Sequence, residues 1–235
     1  MFNDFLDNDH RYGDKGMKLF YRIGVVLLSL MLLASCSSSK VTGNGKITTK
    51  TRDVPAFSQI KVSGAYRLLV MVGGSRSVRV TTDSNILPLV MTTVKDGLLT
   101  IANQKGRTFK VSKLVTVRVV VPTLTKITAS GMNRIMATRI TGGDFTFSTS
   151  GSVQAKLTGK ASKVSLDISG AGNIDAKSLT AQDVDVALTG SGNILVNATK
   201  KLDTKITGNG NIKYVGDPSK VDQTIMGSGK IERLK

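Results

Sequence analysis

A glycine-centred motif recurs through the second half of this chain at an almost constant spacing. Six copies occur, and the first glycine of each copy lies 18 to 20 residues before that of the next; these glycines are Gly131, Gly151, Gly170, Gly190, Gly208 and Gly227. Near-constant spacing is typical of repeat proteins, in which each repeat buries its apolar residues against its neighbours. The repeat therefore predicts a solenoid.

Apolar residues alternate with polar ones within each repeat, as in Val164, Leu166 and Ile168. A period of two indicates β-strands, and glycine pairs allow sharp turns between them. A repeat of about 19 residues, at roughly 3.3 Å per residue, is long enough for three short strands with corners. The predicted fold is all-β, a parallel β-helix or β-solenoid with coils of about 19 residues.

Stacking the repeats in register would align equivalent residues in columns. An interior apolar column is predicted to contain Ile174, Ile194, Ile212 and Ile231. A corner column of asparagines, whose amides can hydrogen-bond to the next coil, is predicted to contain Asn173, Asn193 and Asn211.

Residues 66–127 depart from this period but remain rich in β-forming residues. They predict a wider N-terminal β-layer that merges into the coils. Within it, residues 114–121 are apolar on nearly both faces, so we expect this strand to be buried and to end at Pro122. Nothing resembling a linker interrupts the chain, and residues 41–235 are expected to form one domain.

The N-terminal region is typical of an exported lipoprotein. Residues 17–35 contain a positive segment, a short apolar run and small residues that precede Cys36, which predicts a signal peptide cleaved before Cys36 and lipidation of its thiol. Residues 36–40 would form a lipidated tether to the membrane, and residues 1–16 an upstream extension absent from the mature protein, with either Met1 or Met17 as the start. Ser37, rather than Asp, favours an outer membrane lipoprotein.

The motifs together resemble a bacterial family, the "putative auto-transporter adhesin, head GIN domain" family. The resemblance lies in the recurring Gly-x-Gly-Asn-Ile, in an early Arg-x-Val-x-x-Phe segment from Arg52, and in a late Ile-Lys-Tyr-Val-Gly-Asp-Pro segment from Ile212. It covers residues 41–235 and implies an exported β-helical domain with a role in adhesion. Two repeats depart from the Gly-Asn pair, at residues 132–134 and 152–154, which weakens the asparagine column there.

The residue types exclude several kinds of chemistry. The only histidine, His10, precedes the predicted signal peptide, and the one cysteine is the predicted lipidation site. We therefore expect no catalytic, metal-binding or cofactor-binding residues. Twelve carboxylates follow Cys36, and Asp183 and Asp185 share a strand face. A β-helical lyase or hydrolase stays open as the alternative, although a calcium-like fragment at residues 142–144 is not repeated.

Positive charge is concentrated in the first half of the predicted domain. The formal net charge of the whole chain is +17, and residues 40–139 hold 17 basic and 3 acidic residues. A candidate anion-binding group comprises Arg76, Arg79, Lys105, Arg107, Lys110, Lys113 and Arg118. Few aromatic residues lie among them, so we expect no nucleic acid partner.

The sequence thus predicts a binding, adhesion or display module at the cell envelope. The expected partners are the membrane, through acylated Cys36, and anionic glycan or lipopolysaccharide. A non-catalytic envelope scaffold is a further alternative, in which the basic residues only keep a long β surface soluble.

Overall fold

The computed structural model describes residues 39–234, and these residues are all-β. The predicted extension, the signal peptide, Cys36 and the first part of the tether lie outside the described residues. A single 3-10 turn, Leu87–Leu89, interrupts the strands. No helix within residues 39–234 has the length and apolar character needed to cross a membrane.

Eleven strands follow one another in the described part of the chain. They are β1 (Ser39–Thr42), β2 (Ile47–Arg52), β3 (Gln59–Val72), β4 (Ser77–Asp83), β5 (Val90–Lys95), β6 (Leu98–Asn103), β7 (Arg107–Lys110), β8 (Thr116–Val121), β9 (Lys126–Val215), β10 (Lys220–Gly227) and β11 (Lys230–Arg233). Strand β1 begins inside the segment assigned to the tether, because Ser39 and Lys40 pair with β7.

Strand β9 is a run of 90 residues that contains five of the six repeats. Strands β10 and β11 pair with it in parallel, each at an offset of one repeat, as in Lys220 opposite Lys201. Within β9 the repeat glycines also lie against one another: a Cβ added to Gly151 would lie 2.6 Å from the carbonyl oxygen of Gly131. Consecutive repeats are therefore adjacent, with equivalent residues side by side.

The N-terminal strands extend the sheet that the repeats form. The larger sheet has the order β10-β9-β3-β8-β4-β2, in which β3 pairs in parallel with β9 and β8, while β4 pairs antiparallel with β8 and β2. Strand β3 lies against the start of β9, with Arg67 opposite Arg134. The separation of these partners along the chain far exceeds one repeat, because β4 to β8 are inserted between the two paired segments.

The predicted isoleucine and asparagine columns are both present in the three repeats that contain Asn173, Asn193 and Asn211. Ile174, Ile194 and Ile212 are at most 2% exposed, whereas Ile231, in the last strand, is half-buried against the core. The corner amides form a ladder in which the side-chain nitrogen of Asn193 donates to the side-chain oxygen of Asn173 (3.3 Å), and that of Asn211 donates to Asn193 (3.2 Å). These alignments confirm the register predicted from the glycine spacing.

The expectation for residues 114–121 is wrong in one respect. Strand β8 is paired on both edges, by β3 and β4, and its residues Val117, Val119 and Val121 are buried. Its other face is open, and Arg118 is exposed there while Val120 is half-buried. An apolar run marks a strand in the middle of a sheet here, but only one face of that sheet is covered.

Candidate anion-binding surface

Four arginines lie on the outer face of the sheet where β4, β8, β3 and β9 are neighbours. Arg79 of β4 is directly opposite Arg118 of β8, and Arg67 of β3 is directly opposite Arg134 of β9. Leu69, two residues after Arg67 and so on the same face, is opposite Arg118. The four arginines therefore share one face, and they span about 16 Å, which is three strand spacings across the sheet and two residues along it. We call this surface the arginine face.

Within the part of the chain that the structure describes, the charges of the arginine face have no ionic partner. All four side chains are exposed, and none forms an ion pair or a side-chain hydrogen bond with any residue in the range 39–234. Like charges placed directly opposite each other on adjacent strands destabilise a sheet by about 0.2–1 kcal/mol per pair. The face holds two such pairs, and a bound anion would relieve the repulsion in both.

The structure divides the seven predicted basic residues into two groups. Arg79 and Arg118 are side by side on the arginine face, and Arg76 lies in the turn that leads into β4. The other four lie along the connection from β6 to β8, where β7 pairs with β1 in a separate two-stranded sheet; they are Lys105, Arg107, Lys110 and Lys113.

The group predicted from the sequence does not include Arg67 and Arg134. Arg134 is the third residue after the repeat glycine Gly131, and Arg67 is the third residue after Gly64, which is directly opposite Gly131. Asparagine occupies this position in later repeats. This substitution is visible in the sequence. The direct pairing of the two arginines is not, because it depends on the register between β3 and β9.

The buried side chain of Tyr66 fixes the backbone next to Arg67. Tyr66 is completely buried, and its hydroxyl donates a hydrogen bond to the side-chain oxygen of Asn103 at 2.6 Å. Burial raises the pKa of Tyr66 well above its usual value, so the phenol stays neutral and keeps its donor. The backbone that carries Arg67 is therefore anchored to the end of β6.

A groove of about 820 Å³ begins at two of these arginines and crosses the repeats. Its lining comes from equivalent positions of successive repeats. Those residues are Arg67, Leu69, Arg134, Ile135, Met136, Gln154, Ala155, Lys156, Asn173, Ile174, Asp175, Asn193, Ile194, Leu195 and Lys213. A volume of this size is typical of sites for small molecules.

The other charged side chains of the groove are already paired. The Lys156 ammonium is 3.8 Å from a carboxylate oxygen of Asp175, and that of Lys213 is 2.9 Å from Glu232. Hydrogen bonds from Lys230 and Lys213 lower the pKa of Glu232 to about 2, so this carboxylate remains ionised and keeps Lys213 engaged. Arg67 and Arg134 are therefore the groove cations with no ionic partner among residues 39–234.

A second charged surface lies on a different face of the repeats, in a depression of about 420 Å³. It contains Asp183 and Asp185, the pair noted in the sequence, and Asp185 forms a 2.7 Å ion pair with Lys163. Hydrogen bonding to Asp185 raises the pKa of Lys163. No group of three or more Asp, Glu, His or Cys residues within residues 39–234 is arranged to hold a metal ion.

The buried carboxylate of Asp83 joins three segments of the N-terminal layer. It accepts hydrogen bonds from the amide of Gly45 (2.7 Å), the amide of Ser112 (3.0 Å) and the hydroxyl of Ser112 (2.6 Å). The Ser112 hydroxyl makes the largest contribution to lowering the pKa of Asp83, because these bonds favour the ionised form. Asp83 thus fixes the end of β4, and with it the strand that carries Arg79.

Comparison with known proteins identifies the family. Residues 56–218 match the model of the family described as "Putative auto-transporter adhesin, head GIN domain". The chain belongs to this family. The match begins before β3 and ends after β9, so it includes all four arginines of the arginine face and confirms the resemblance seen in the sequence. Among curated proteins, no significant match is found.

Several crystal structures resemble this chain, among them one from Bacteroides fragilis and one from Parabacteroides distasonis. A "putative adhesin" from Bacteroides fragilis has a TM-score of 0.69 and 24% sequence identity, covering 83% of this chain and 100% of its own. A "putative lipid binding protein" from Parabacteroides distasonis has a TM-score of 0.52 and 22% identity, covering 84% of this chain and 100% of its own. At this level of identity the likeness shows a shared fold.

Proposed function

We propose that this protein is a lipid-anchored binding module of the cell envelope that recognises anionic envelope or surface glycans through its arginine face. Its scaffold would be a parallel β-solenoid in which each coil corresponds to one glycine-centred repeat. Cys36, once acylated, would hold it at the outer membrane, and the domain would bind its ligand without turning it over.

The parallel offsets and stacked glycines support the solenoid. Strand β10 pairs with β9 at an offset of one repeat, and the repeat glycines within β9 lie against one another. Such a stack presents a long, rigid face whose side chains recur at every strand spacing of about 4.8 Å. A face of this kind suits an extended polymer, because successive groups of the ligand meet successive strands.

The observation that carries the binding proposal is the direct register of Arg79 with Arg118 and of Arg67 with Arg134. Dispersed lysines would keep a β surface soluble without placing like charges directly opposite each other. The guanidinium group forms paired hydrogen bonds with carboxylate, sulfate or phosphate, which are the charged groups of acidic polysaccharides and lipopolysaccharide. Two arginine pairs on one face would therefore bind an anionic polymer at two of its charged groups.

A role in binding rather than catalysis is supported by the family and by the second charged surface, which contains Asp183 and Asp185 and which we call the acidic face. The family description and the Bacteroides fragilis structure both use the word adhesin. On the acidic face, the Asp185 carboxylate lies 2.7 Å from Lys163, and that of Asp203 lies 3.7 Å from Lys201. Such lysine-paired carboxylates are typical of a solvated strand face.

The proposal is tested by binding of polygalacturonate, an anionic glycan, to the purified protein. Titration calorimetry at increasing salt should show a falling affinity, because surface charges are screened over about 8 Å at physiological ionic strength. The double variant Arg79→Gln with Arg118→Gln should bind at least about tenfold more weakly, since each charge-assisted hydrogen bond contributes about 1.5–3 kcal/mol. Release of reducing sugar during the same incubation would instead favour the catalytic alternative.

A matched control removes two cations from elsewhere. Lys61 and Lys126 are exposed on the same strands, β3 and β9, but they precede Gly64 and Gly131, whereas Arg67 and Arg134 follow these glycines; replacement of the two lysines by Gln should leave the affinity unchanged. The ligand-free Arg79/Arg118 variant should also be as stable as the wild type or slightly more so, because a like-charge pair is removed. If the two double variants bind equally well, the arginine face is not the binding site.

A further inference from the structure

The groove places apolar side chains directly beside its two unpaired arginines. Leu69 follows Arg67 by two residues on β3, and Met136 follows Arg134 by two residues on β9, so each pair shares a strand face. Leu69 is also directly opposite Met136. A pair of cations therefore borders a pair of apolar side chains within one groove.

These apolar side chains are open to solvent. Met136 is 45% exposed and Leu69 is half-buried, and Leu195 lies further along the groove, also half-buried. A glycan alone would use the arginines and leave this apolar surface in water. An aliphatic chain would cover it, with a gain of about 25 cal/mol for each Å² removed from water.

We propose that the groove binds an anionic single-chain amphiphile. Its phosphate or carboxylate head would lie between Arg67 and Arg134, and its aliphatic chain would cover Leu69 and Met136 and extend along the aliphatic part of Lys156. This inference rests on the proposed function, because both place an anion on the arginine face. It adds that the anion carries an aliphatic chain.

The dimensions of the groove fit such a ligand. Its lining residues come from six adjacent strand segments, from Arg67 on β3 to Lys213 near the end of β9, which corresponds to a length of about 24 Å. The volume of about 820 Å³ leaves room for a head group and a chain together. The aliphatic part of Lys156 adds apolar surface next to Met136, one repeat further along the groove.

The one carboxylate in the groove does not oppose an anion at the arginines. Asp175 lies two repeats beyond Arg134, about 10 Å away along the stack. It is held by the Lys156 ammonium at 3.8 Å. Its charge is therefore offset locally, and the head group would meet only the two guanidinium groups.

The test compares two phosphate monoesters, dodecyl phosphate and butyl phosphate, by titration calorimetry with the purified full chain at concentrations below micelle formation. Each methylene that leaves water strengthens binding about fourfold. Dodecyl phosphate should therefore bind at least about tenfold more tightly than butyl phosphate, with one molecule per chain. Uncharged dodecyl maltoside should bind more weakly than dodecyl phosphate, because it lacks the anion.

Two pairs of variants separate the head from the chain. Arg67→Gln with Arg134→Gln should weaken dodecyl phosphate at least about tenfold. Leu69→Gln with Met136→Gln should weaken dodecyl phosphate much more than butyl phosphate, since the long chain covers more of the apolar pair than the short one. These side chains are on the open face, so the Leu69/Met136 variant should unfold thermally like the wild type. The Arg67/Arg134 variant should unfold at the same or a slightly higher temperature, because a like-charge pair is removed. Lys61→Gln with Lys126→Gln serves as the control.

The outcomes distinguish this inference from the proposed function. If polygalacturonate binds through the arginines but dodecyl phosphate binds no better than butyl phosphate, the aliphatic site is overturned and the glycan-binding function stands. If neither polygalacturonate nor dodecyl phosphate binds, both proposals fall. Tight binding of dodecyl phosphate that survives the Leu69/Met136 substitutions also overturns the groove as the site of the chain.

Discussion

The stacking of repeat glycines can be tested by adding a single methyl group. Gly151 has a φ of +111°, and a Cβ at this position would lie 2.6 Å from the carbonyl oxygen of Gly131 and 3.1 Å from its amide nitrogen. Both atoms belong to the backbone of the preceding repeat, so no side-chain rotation can relieve the contact. Gly151→Ala should therefore separate two adjacent repeats.

The expected cost has two parts. A residue other than glycine at this φ loses about 1–3 kcal/mol through backbone strain. Displacing the Gly131 backbone costs about 1–3 kcal/mol more, as in other cases of overpacking. Gly151→Ala should thus lower the free energy of unfolding by about 2–6 kcal/mol.

Two neighbouring glycines isolate these parts. Gly142 has a φ of +129° but no atom lies within 4 Å of an added Cβ, so Gly142→Ala should show the backbone strain alone, about 1–3 kcal/mol. Gly143 has neither a positive φ nor a nearby atom, and Gly143→Ala should stay within about 0.5 kcal/mol of the wild type.

The assay is equilibrium urea unfolding of the three variants, followed by far-ultraviolet circular dichroism. The order of destabilisation should be Gly151→Ala, then Gly142→Ala, then Gly143→Ala. Equal destabilisation by Gly151→Ala and Gly142→Ala would mean that contact between the repeat glycines contributes nothing, and the close stacking inferred from the glycine column would be refuted.

Three further predictions concern the core, the N-terminal layer and the anchor. Ile194→Asp should lower the free energy of unfolding by more than about 3 kcal/mol, because it buries a charge among apolar residues. Lys200 is exposed, so Lys200→Asp should leave the free energy of unfolding nearly unchanged. Equal melting temperatures of the two variants would contradict the predicted register. The pKa of Asp83 is lowered from its ordinary value of 3.8, so the ionised carboxylate stabilises the fold above that pH, and this stabilisation is lost as the pH falls through the lowered pKa. Asp83→Asn should therefore be less stable at neutral pH, and its melting temperature should change less between pH 7 and pH 3 than that of the wild type. An unchanged pH profile would exclude this role. Cys36→Ala should abolish labelling by a radioactive fatty acid and release the protein from membranes, and labelling that persists would refute lipidation at this residue.

The repeat architecture can be predicted from the sequence because its evidence lies along the chain. Alternating apolar residues indicate strands, and the near-constant glycine spacing places equivalent residues of successive repeats side by side. The pattern accordingly assigns Ile174 and Ile194 to the core, and Asn173 and Asn193 to a hydrogen-bonded corner, where the structure has them. Each assignment needs only the neighbouring repeat.

The N-terminal layer can be predicted only in outline. The apolar character of residues 114–121 indicates a central strand, and β8 is paired on both edges. It does not reveal that Arg118 faces solvent, because an apolar run indicates burial without saying how many faces are covered. Which face of the sheet is open depends on what packs against it, and this is a property of the whole domain.

The arginine face was decided by the tertiary structure alone. Arg67 and Arg134 are distant in the sequence, as are Arg79 and Arg118, yet each pair is in direct register. The insertion of β4 to β8 between β3 and β9 sets these pairings, and no period in the sequence encodes them. Local patterns determine which residues form strands and which side chains point inward, because those properties depend on near neighbours. The meeting of distant charges depends on strand order and register, which arise only when the sheet is assembled.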